Sequence, residues 1–306
     1  MWERRCEDAW LGGKDDHLGM DVLVTGSAGF TGQVLVPRLQ AAGHRVVGVD
    51  IDPEKLSDIF IQHDLTTPLK QKITADVVVH LASAVGGFLF NTRKELVETN
   101  DRINRNVLKI CRTSDCSHII FFSSINVFEI SQSFLNDCLT AMDQKTPYAR
   151  SKAKGEFLFT REVENCMILR PTNMFGKSQC RKHEKIGESH VIPDLLKKIE
   201  AGPDLCVLGD GTQVRNFVHV NDICGFVVHN IRLQGQHFFN LRSEITLTIA
   251  ELAKILIEIS GEQTPMRFDP SYMSYELFRI PHFDLTLPRR YGWKPIIQTI
   301  QEGLLI

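Results

Sequence analysis

The chain has 306 residues, of which 43% are hydrophobic, so it is long enough for one large domain with a smaller second lobe. Its formal net charge of -2 argues against a general polyanion binder such as a nucleic-acid-binding protein. The eight cysteines are scattered, without a C-x-x-C pair or metal-ligand spacing. We therefore predict no metal site, and free thiols in a reducing, cytoplasmic compartment. No apolar run is long enough to predict a membrane span.

The N-terminal residues are polar and charged, and they lack the apolar segment of a signal peptide. Met20 directly precedes the first predicted strand. We expect residues 1–19 to be a disordered leader or an upstream start without a role in the fold.

Residues 21–32 organise the rest of the chain. An apolar, β-branched run there enters a turn with a glycine at every third position, and a helical pattern follows over residues 33–42. This order suits a dinucleotide, because backbone N–H groups and the positive end of a helix then approach its pyrophosphate. The spacing G-x-x-G-x-x-G differs from the simplest fingerprint, and glycines also close ordinary turns, so the turn alone is weak evidence.

A second strand is predicted over residues 45–50, and it ends in the carboxylate of Asp50. An acid about twenty residues after the glycines accepts hydrogen bonds from the adenosine ribose hydroxyls. It also repels a 2′-phosphate, so Asp50 favours NAD over NADP. The alternatives are a solvated Asp at a strand end, or the same role carried by the nearby Asp52.

Strands and helices continue to alternate along the chain, which predicts an α/β fold of Rossmann type with a doubly wound parallel sheet. Ligands then bind at the carboxyl ends of the strands. We predict an NAD-binding domain over residues 20–175 and a smaller, interleaved α/β substrate-binding lobe over 176–306. Further strands are predicted at 75–82, 118–124, 166–170, 205–208 and 216–220, and further helices at 94–111, 147–159, 192–201, 222–231 and 249–259.

Tyr148 and Lys152 lie four residues apart, on one face of a predicted helix. An ammonium group near a phenol stabilises the phenolate and lowers the pKa of the phenol, so Tyr148 is a candidate general base. Ser124, at the carboxyl end of a predicted strand, is placed to donate to the same substrate oxygen. The alternatives are an amphipathic helix with a solvated Lys, and a serine that satisfies a loop backbone.

With these motifs in one order, the chain from residue 21 onward resembles the extended short-chain dehydrogenase/reductases of the NAD-dependent nucleotide-sugar epimerase/dehydratase family. The motifs are residues 25–32 (TGSAGFTG), Asp64-Leu65, His80-Leu81-Ala82, Ser124-x-x-Val127-Phe128, Tyr148-x-x-x-Lys152, residues 170–176 (RPTNMFG) and residues 209–220 (GDGTQVRNFVHV).

The resemblance implies a role for each matching residue. Asp50 is expected to bind the adenosine ribose, and Asn100 to lie on a helix behind the active site. Ser124, Tyr148 and Lys152 form the implied catalytic triad, while Asn173 and Arg215 contact the diphosphate of the substrate, which the fork of an Arg suits. The remaining implied cofactor contacts are Gly26, Ala28, Gly29, Phe30, Thr31 and Gly32 at the pyrophosphate, Asp64 and Leu65 at the adenine, and Leu81, Ala82 and Ser83 farther along.

Subclasses of the family differ between Ser124 and Val127. Dehydratases of the family place an Asp-Glu pair there, and sugar-acid decarboxylases place a Glu, whereas this chain has Ile125 and Asn126. An amide does not act as an acid or base at neutral pH, so elimination chemistry is disfavoured.

Residues 85–87 (VGG) with Asn91, and residues 189–193 (SHVIP), resemble the branch of GDP-fucose synthase and GDP-mannose 3,5-epimerase. In that branch a Cys and a His exchange protons on opposite faces of the sugar. His190 matches the His, but Asn126 stands where the Cys is expected. His190 is therefore either a catalytic residue or a helix-start residue that binds substrate or backbone.

We predict an NAD-dependent epimerase that acts on a nucleotide-diphosphate sugar through a transient keto-sugar. Its predicted catalytic residues are Ser124, Tyr148, Lys152 and His190, and Asn126, Asn173 and Arg215 are predicted to bind substrate together with Ser124 and His190. The alternatives are a reductase of a nucleotide-linked ketosugar, an enzyme of non-sugar alcohols, and a non-catalytic NAD-binding protein. By resemblance we also expect a homodimer formed through the helices at 94–111 and 147–159, and no nucleic-acid or membrane partner.

Overall fold

The computed structural model of the chain describes residues 19–53, 56–128, 146–177, 189–271 and 284–305. The expected leader lies outside the described residues except for Gly19, and so do residues 178–188. The strands are β1 (Asp21–Thr25), β2 (Arg45–Asp50), β3 (Ile59–Gln62), β4 (Val77–His80), β5 (His118–Phe122), β6 (Asn165–Pro171), β7 (Asn173–Phe175), β8 (Leu205–Leu208), β9 (Val214–His219), β10 (Gln236–Leu241), β11 (Thr246–Thr248) and β12 (Met266–Asp269). The helices are α1 (Phe30–Ala41), α2 (Phe88–Asn91), α3 (Glu95–Thr113), α4 (Pro147–Glu162), α5 (Val191–Ala201), α6 (Val220–His229), α7 (Ile249–Ser260), α8 (Thr286–Arg290) and α9 (Ile300–Leu305), with a 3-10 helix at Ile125–Phe128.

Seven parallel strands form the central sheet, in the order β10-β6-β5-β4-β1-β2-β3. From β1 the sheet grows in one direction through β2 and β3, and then in the opposite direction from β4 onward. This reversal of strand order between β1 and β4 opens a crevice at the carboxyl ends of the strands. The predicted α/β fold of Rossmann type is confirmed.

Helices cover both faces of this sheet, which explains why its central strands are apolar at nearly every position. Residues on one face, such as Val22, share a core cluster with Leu35 of α1 and Phe226 of α6. On the opposite face, Leu23 shares a cluster with Val107 of α3 and Phe159 of α4. Adjacent residues of β1 thus enter different cores, as the two-residue period of a strand requires.

A second lobe lies beyond β6. It contains the small sheets β11-β9-β7 and β12-β8, and α5, α7 and α9 contribute to its separate apolar core. The late elements do not all belong to this lobe, because β10 pairs with β6 in the central sheet and α6 packs against its core. None of the helices within the described ranges has the length and apolar character needed to cross a membrane.

Several predicted boundaries differ from the observed ones. The strand predicted over residues 75–82 ends at His80, and Leu81 and Ala82 leave the sheet to line a cavity. The helix predicted from residue 33 already begins at Phe30, with Gly29 as its N-cap. The predicted strand 216–220 ends at His219, because Val220 begins α6.

Candidate functional site

One cavity of about 850 Å³ lies at the carboxyl ends of the strands and extends to the second lobe. Of the predicted cofactor and substrate contacts, only Ala28 and Gly32 do not line it. The cavity walls contain Gly26, Gly29, Phe30, Thr31, Asp50, Asp64, Leu65, Leu81, Ala82, Ser83, Ser124, Asn126, Tyr148, Lys152, Asn173, His190 and Arg215.

The glycine turn between β1 and α1 packs against the loop after β4. Gly26 has φ +74°, and a Cβ atom there would lie 2.7 Å from the backbone nitrogen of Ala82. A Cβ atom at Gly32 would lie 2.3 Å from the carbonyl oxygen of Ser27, so Gly32 shapes the turn although it does not reach the cavity. The first N–H groups of α1 have no partner within the helix and are available to an anion.

Asp50 lies at the end of β2, beside this turn. Its side chain is buried, and its two carboxylate oxygens accept hydrogen bonds from the N–H groups of Ala28 and Asp52, each at 3.0 Å. A carboxylate has lone pairs beyond these two, which suits it to receive ribose hydroxyls. Asp50 lines the cavity, and Asp52, the alternative residue of the sequence analysis, does not.

The predicted adenine end contains two cavity residues that the sequence analysis missed, Ile51 and His63. Ile51 is 58% exposed and lines the cavity with an apolar side chain. Asp64 accepts a hydrogen bond from the N–H of Thr66 at 2.8 Å, and the carbonyl of Leu65 accepts from Asn106 at 2.9 Å. The available sequence signal was an apolar residue, Ile51, directly after the strand-end Asp50.

A buried hydrogen-bonded chain supports the turn from below. His80 Nε2 lies 2.9 Å from Asn104 Oδ1 and donates to it, since a carbonyl oxygen only accepts. His80 Nδ1 therefore accepts from Thr25 Oγ1 at 2.8 Å, and Thr25 Oγ1 accepts from the N–H of Ala82 at 3.4 Å. Burial lowers the pKa of His80 to about 3, so this imidazole is neutral and the chain of bonds keeps one direction.

Tyr148 and Lys152 lie on the first two turns of α4, and both line the cavity. Thr146 caps this helix by accepting a hydrogen bond from the N–H of Ala149 at 3.2 Å. Lys152 Nζ donates to the carbonyl of Phe122 at 2.9 Å and lies 5.9 Å from the centre of the Tyr148 ring. Burial lowers the pKa of Lys152 to about 8, and the nearby carboxylate of Glu156 opposes this shift.

Ser124 follows β5 and is buried at the cavity wall. Its Oγ accepts a hydrogen bond from the N–H of Asn126 at 3.2 Å, and a hydroxyl group that accepts in this way can still donate its proton. Asn126 is half-buried in the 3-10 helix and also lines the cavity. The structure thus brings Ser124, Asn126, Tyr148 and Lys152 to one cavity.

A buried ion pair joins α4 to β6 one turn beyond Lys152. Arg170 donates to both oxygens of Glu156, at 2.9 Å from Nε and 2.6 Å from Nη2, and the Ser123 hydroxyl donates to the same carboxylate. The guanidinium lies over the rings of Phe128 and Phe238, at 4.9 and 5.0 Å from their centres. The pair therefore connects the helix of Lys152 to the residue that precedes Ser124.

Two asparagine side chains hold the loop after β4, which lines the cavity. Asn91 exchanges two hydrogen bonds with the N–H and carbonyl of Gly86, at 3.1 and 2.8 Å. Asn100 does the same with Ala84, at 2.8 and 3.1 Å, and it also donates to Ser151 Oγ at 3.0 Å. Ser151 in turn donates to the carbonyl of Tyr148 at 2.8 Å, so Asn100 lies behind the cavity and connects this loop to α4.

The second lobe supplies the other end of the cavity. Asn173 Nδ2 donates to the carbonyl of Asn216 at 3.0 Å, and Arg215 donates to the carbonyl of Val214 at 3.0 Å. His190 is the exposed N-cap residue of α5, and its side chain makes no capping hydrogen bond. Asp194 and Lys198, which the sequence analysis did not single out, follow His190 at intervals of four and also line the cavity.

The described part of the chain contains no group of three or more His, Cys, Asp and Glu residues placed to hold a metal ion. The two ends of the cavity differ in character. One end has a glycine turn and a buried acid, and the other has cationic and amide side chains. Tyr148 and Lys152 also line the cavity.

The sequence model of the "NAD dependent epimerase/dehydratase family" matches residues 22–241. The chain is 27% identical to a dTDP-4-dehydro-6-deoxy-D-allose reductase from a Streptomyces species over 287 residues, covering 84% of this chain and 86% of the relative. It is 25% identical to the GDP-L-fucose synthase of Escherichia coli over 317 residues, covering 92% of this chain and 94% of the relative.

Among solved structures, the fold is similar to that of the Thermus thermophilus UDP-glucose 4-epimerase in complex with NAD. The TM-score is 0.74 at 22% identity, covering 93% of this chain and 96% of that chain.

Proposed function

Because the chain belongs to the NAD dependent epimerase/dehydratase family of enzymes, we propose that it is an epimerase of a nucleotide-diphosphate sugar. One observation supports the proposal most strongly. A single cavity contains a dinucleotide-type turn, the pair Tyr148 and Lys152, and a second-lobe end with Arg215. No carboxylate stands between Ser124 and Val127, which disfavours a dehydratase.

NAD is the cofactor of this family, and the residues at the glycine turn fit it. Gly26 leaves no space for a Cβ atom, so the turn packs closely against the loop after β4. Gly26 and Asp50 both line the cavity, and the carboxylate of Asp50 has further lone pairs to accept hydrogen bonds. We assign the pyrophosphate to the turn, the adenosine ribose to Asp50, and the adenine to the surface formed by Ile51, Asp64 and Leu65. When bound, NAD takes hydride from a carbon of the substrate and returns it.

The protein residues move the proton that accompanies this chemistry. Tyr148 takes the proton of the sugar hydroxyl when the carbon is oxidised, and gives it back when the keto group is reduced. The Lys152 ammonium stabilises the phenolate form of Tyr148. Ser124 donates a hydrogen bond to the same oxygen and keeps it in place.

The other end of the cavity holds the nucleotide part of the substrate. Arg215 and Asn173 bind the diphosphate, because the planar fork of a guanidinium pairs with two phosphate oxygens. Asn126 and His190 contact the sugar. His190 at the exposed start of α5 is either a proton donor to the ring or a binding residue.

The experiment is incubation of the wild type and Tyr148→Phe with NAD and a panel of nucleotide sugars in deuterated water. We expect a second sugar epimer from the wild type and a loss of turnover of about 10²-fold or more in Tyr148→Phe, which lacks the acid–base group. Equal turnover by the two proteins would refute the role of Tyr148. His190→Asn in the same assay separates proton transfer, which changes deuterium incorporation, from binding, which changes only KM.

A second candidate function is reduction of a nucleotide-linked ketosugar. It is supported by the similarity to a reductase and to a GDP-L-fucose synthase, together with the SHVIP segment at residues 189–193. Asp50 disfavours NADPH, the usual donor of reductive reactions, because its carboxylate repels a 2′-phosphate. Net consumption of NADH or NADPH, followed by absorbance, distinguishes a reductase from an epimerase, which consumes none.

We infer that the protein forms a homodimer in the cytoplasm. Its helices α3 and α4 pack side by side, and Phe157 on α4 is 58% exposed although it is large and apolar. A second copy that placed its own α3 and α4 there would bury this side chain. Light scattering after gel filtration should give twice the monomer mass, and Phe157→Glu should give the monomer mass.

A further inference from the structure

Helix α5 presents three residues to the cavity at intervals of one turn, His190, Asp194 and Lys198. From the first to the last they extend about 12 Å along the helix axis. If His190 contacts the sugar, as proposed above, the far end of this row lies beside the nucleoside.

Asp194 and Lys198 form an ion pair of 2.7 Å between Nζ and Oδ2, with side chains only 12% and 11% exposed. An ion pair on a helix surface is common and contributes little, but a pair removed from water has a large desolvation cost. This pair lies at a cavity wall, where a bound ligand would desolvate it further. Such a position is costly for a structural pair, and it is suitable for one that hydrogen-bonds a ligand.

Apolar residues line the same cavity as the ion pair. Val207 and Leu208 of β8, Phe217 of β9 and Leu195 of α5 line the same cavity. Arg215 lies in the same strand as Phe217, two residues away, so a diphosphate at Arg215 leaves the attached nucleoside near these apolar side chains. The polar edge of the base then needs partners, and the pair on α5 offers a cation and a carboxylate.

We propose that Asp194 and Lys198 read the base of the substrate and select guanine. The proposal rests on the function proposed above. Guanine presents a carbonyl oxygen, a ring N–H and an amino group side by side. Lys198 donates to the carbonyl oxygen, and the two oxygens of Asp194 accept from the ring N–H and the amino group. The ion pair persists in this arrangement, because the ammonium and the carboxylate stay adjacent.

The other bases satisfy the pair less well. Uracil and thymine offer a carbonyl oxygen and a ring N–H, but their second carbonyl oxygen then faces a carboxylate oxygen, and two acceptors repel. Adenine and cytosine present an amino group to the ammonium and an unprotonated ring nitrogen to the carboxylate, so both contacts are lost. The ion pair therefore predicts that binding affinity decreases from guanine to uracil or thymine, and from these to adenine or cytosine.

The test is calorimetric titration of the full chain, saturated with NAD, with GDP, IDP, UDP and dTDP and with GDP-mannose and UDP-glucose. IDP lacks only the amino group of guanine, so it probes the carboxylate contact in the unaltered protein. We expect GDP to bind about tenfold more tightly than IDP and UDP, in the range of a bidentate base contact. Asp194→Asn and Lys198→Met should lose most of this preference. The control Lys197→Met removes the same charge at the neighbouring residue, which does not line the cavity, and it should keep the preference for GDP.

The outcomes separate the two proposals. If UDP or dTDP binds as tightly as GDP, or if IDP matches GDP, the guanine assignment is wrong while the proposed function stands. If Asp194→Asn folds, binds NAD normally and keeps the full preference for GDP, the pair does not read the base. If no nucleotide or nucleotide sugar binds the NAD-loaded wild type, the proposed function fails as well.

Discussion

Asn91 and Asn100 hold neighbouring peptide groups of one loop by the same pattern of two hydrogen bonds. Asn91 pairs with Gly86 at 3.1 and 2.8 Å, and Asn100 pairs with Ala84 at 2.8 and 3.1 Å. Val85, which lies between the two paired residues, lines the cavity. Two side chains thus fix the backbone of the loop after β4, which no longer pairs with a neighbouring strand.

The first prediction concerns Asn91→Ala. It leaves the Gly86 N–H and carbonyl without their partner, a loss of about 1–3 kcal/mol that loosens the loop. We expect the Kd of a nucleotide sugar to rise about tenfold and the Gly86 amide to exchange hydrogen faster. Asn91→Asp, which keeps the acceptor for the Gly86 N–H, should show a smaller effect. Unchanged amide exchange in Asn91→Ala would contradict this role.

The second prediction concerns the buried pair of Glu156 and Arg170. Replacing one member leaves the other charge buried without its partner. Glu156→Leu or Arg170→Met should therefore each lower the free energy of unfolding by about 3–5 kcal/mol. The double variant should lose less than the sum, because no unpaired charge remains. Urea denaturation followed by circular dichroism measures all three. Strictly additive losses would show that the two side chains do not depend on each other.

The third prediction uses a matched pair of glycines. Gly26 and Gly43 both have positive φ, at +74° and +86°, so an Ala at either position has a strained backbone costing about 1–2 kcal/mol. Only Gly26→Ala also places a Cβ atom 2.7 Å from a backbone atom, whereas nothing lies within 4 Å at Gly43. We expect both variants to lose stability, and only Gly26→Ala to lose NAD affinity, by about tenfold or more. Equal NAD affinities would contradict the role of the turn.

The fourth prediction follows from Lys152. Burial lowers its pKa to about 8 in the folded chain, from the ordinary lysine value of 10.5. Between these values the unfolded chain binds more protons, so stability due to this residue rises with pH by about 1.4 kcal/mol per unit. Relative to Lys152→Met, the wild-type chain without cofactor should gain about 3 kcal/mol from pH 8 to pH 10.5. Urea denaturation measures the free energy of unfolding at each pH. The same pH dependence in the wild type and Lys152→Met would contradict the prediction.

The fifth prediction concerns His118, at the start of β5. Both of its ring nitrogens are buried without a hydrogen-bond partner, and burial lowers the pKa of His118 to about 4. Its unfolded pKa is about 6.5, so its contribution to stability is lost as pH falls from 6.5 to 4. When the pH falls from 7 to 5, the free energy of unfolding should therefore decrease less in His118→Phe than in the wild type. Equal pH dependence of the free energy of unfolding in the two proteins, measured by urea denaturation, would contradict this prediction.

The central sheet was predictable because buried parallel strands such as β1 and β5 are apolar at nearly every position. β10 was not predicted, since its sequence QHFFNL mixes polar and apolar residues, as an edge strand with half-buried side chains allows. β3 was missed because its apolar run, IFI, is too short to indicate a strand on its own; none of its four residues is buried.

The candidate site was predictable where a local motif carries the chemistry. The glycine turn, Asp50, Tyr148 and Lys152 are each recognisable within a few residues of sequence. Asp194 and Lys198 were not, because an i,i+4 pair of opposite charges looks the same on an exposed helix as beside a cavity. Only the fold distinguishes the two situations.

The pairing of β10 with β6 has a consequence for synthesis of the protein. The outer strand of the cofactor-binding sheet is encoded about 65 residues after the strand that it joins, and much of the second lobe is encoded between them. A nascent chain released up to β6 has an open sheet edge and lacks α6 over one face. A chain truncated after residue 175 therefore leaves β6 as an unpaired edge strand, which favours aggregation.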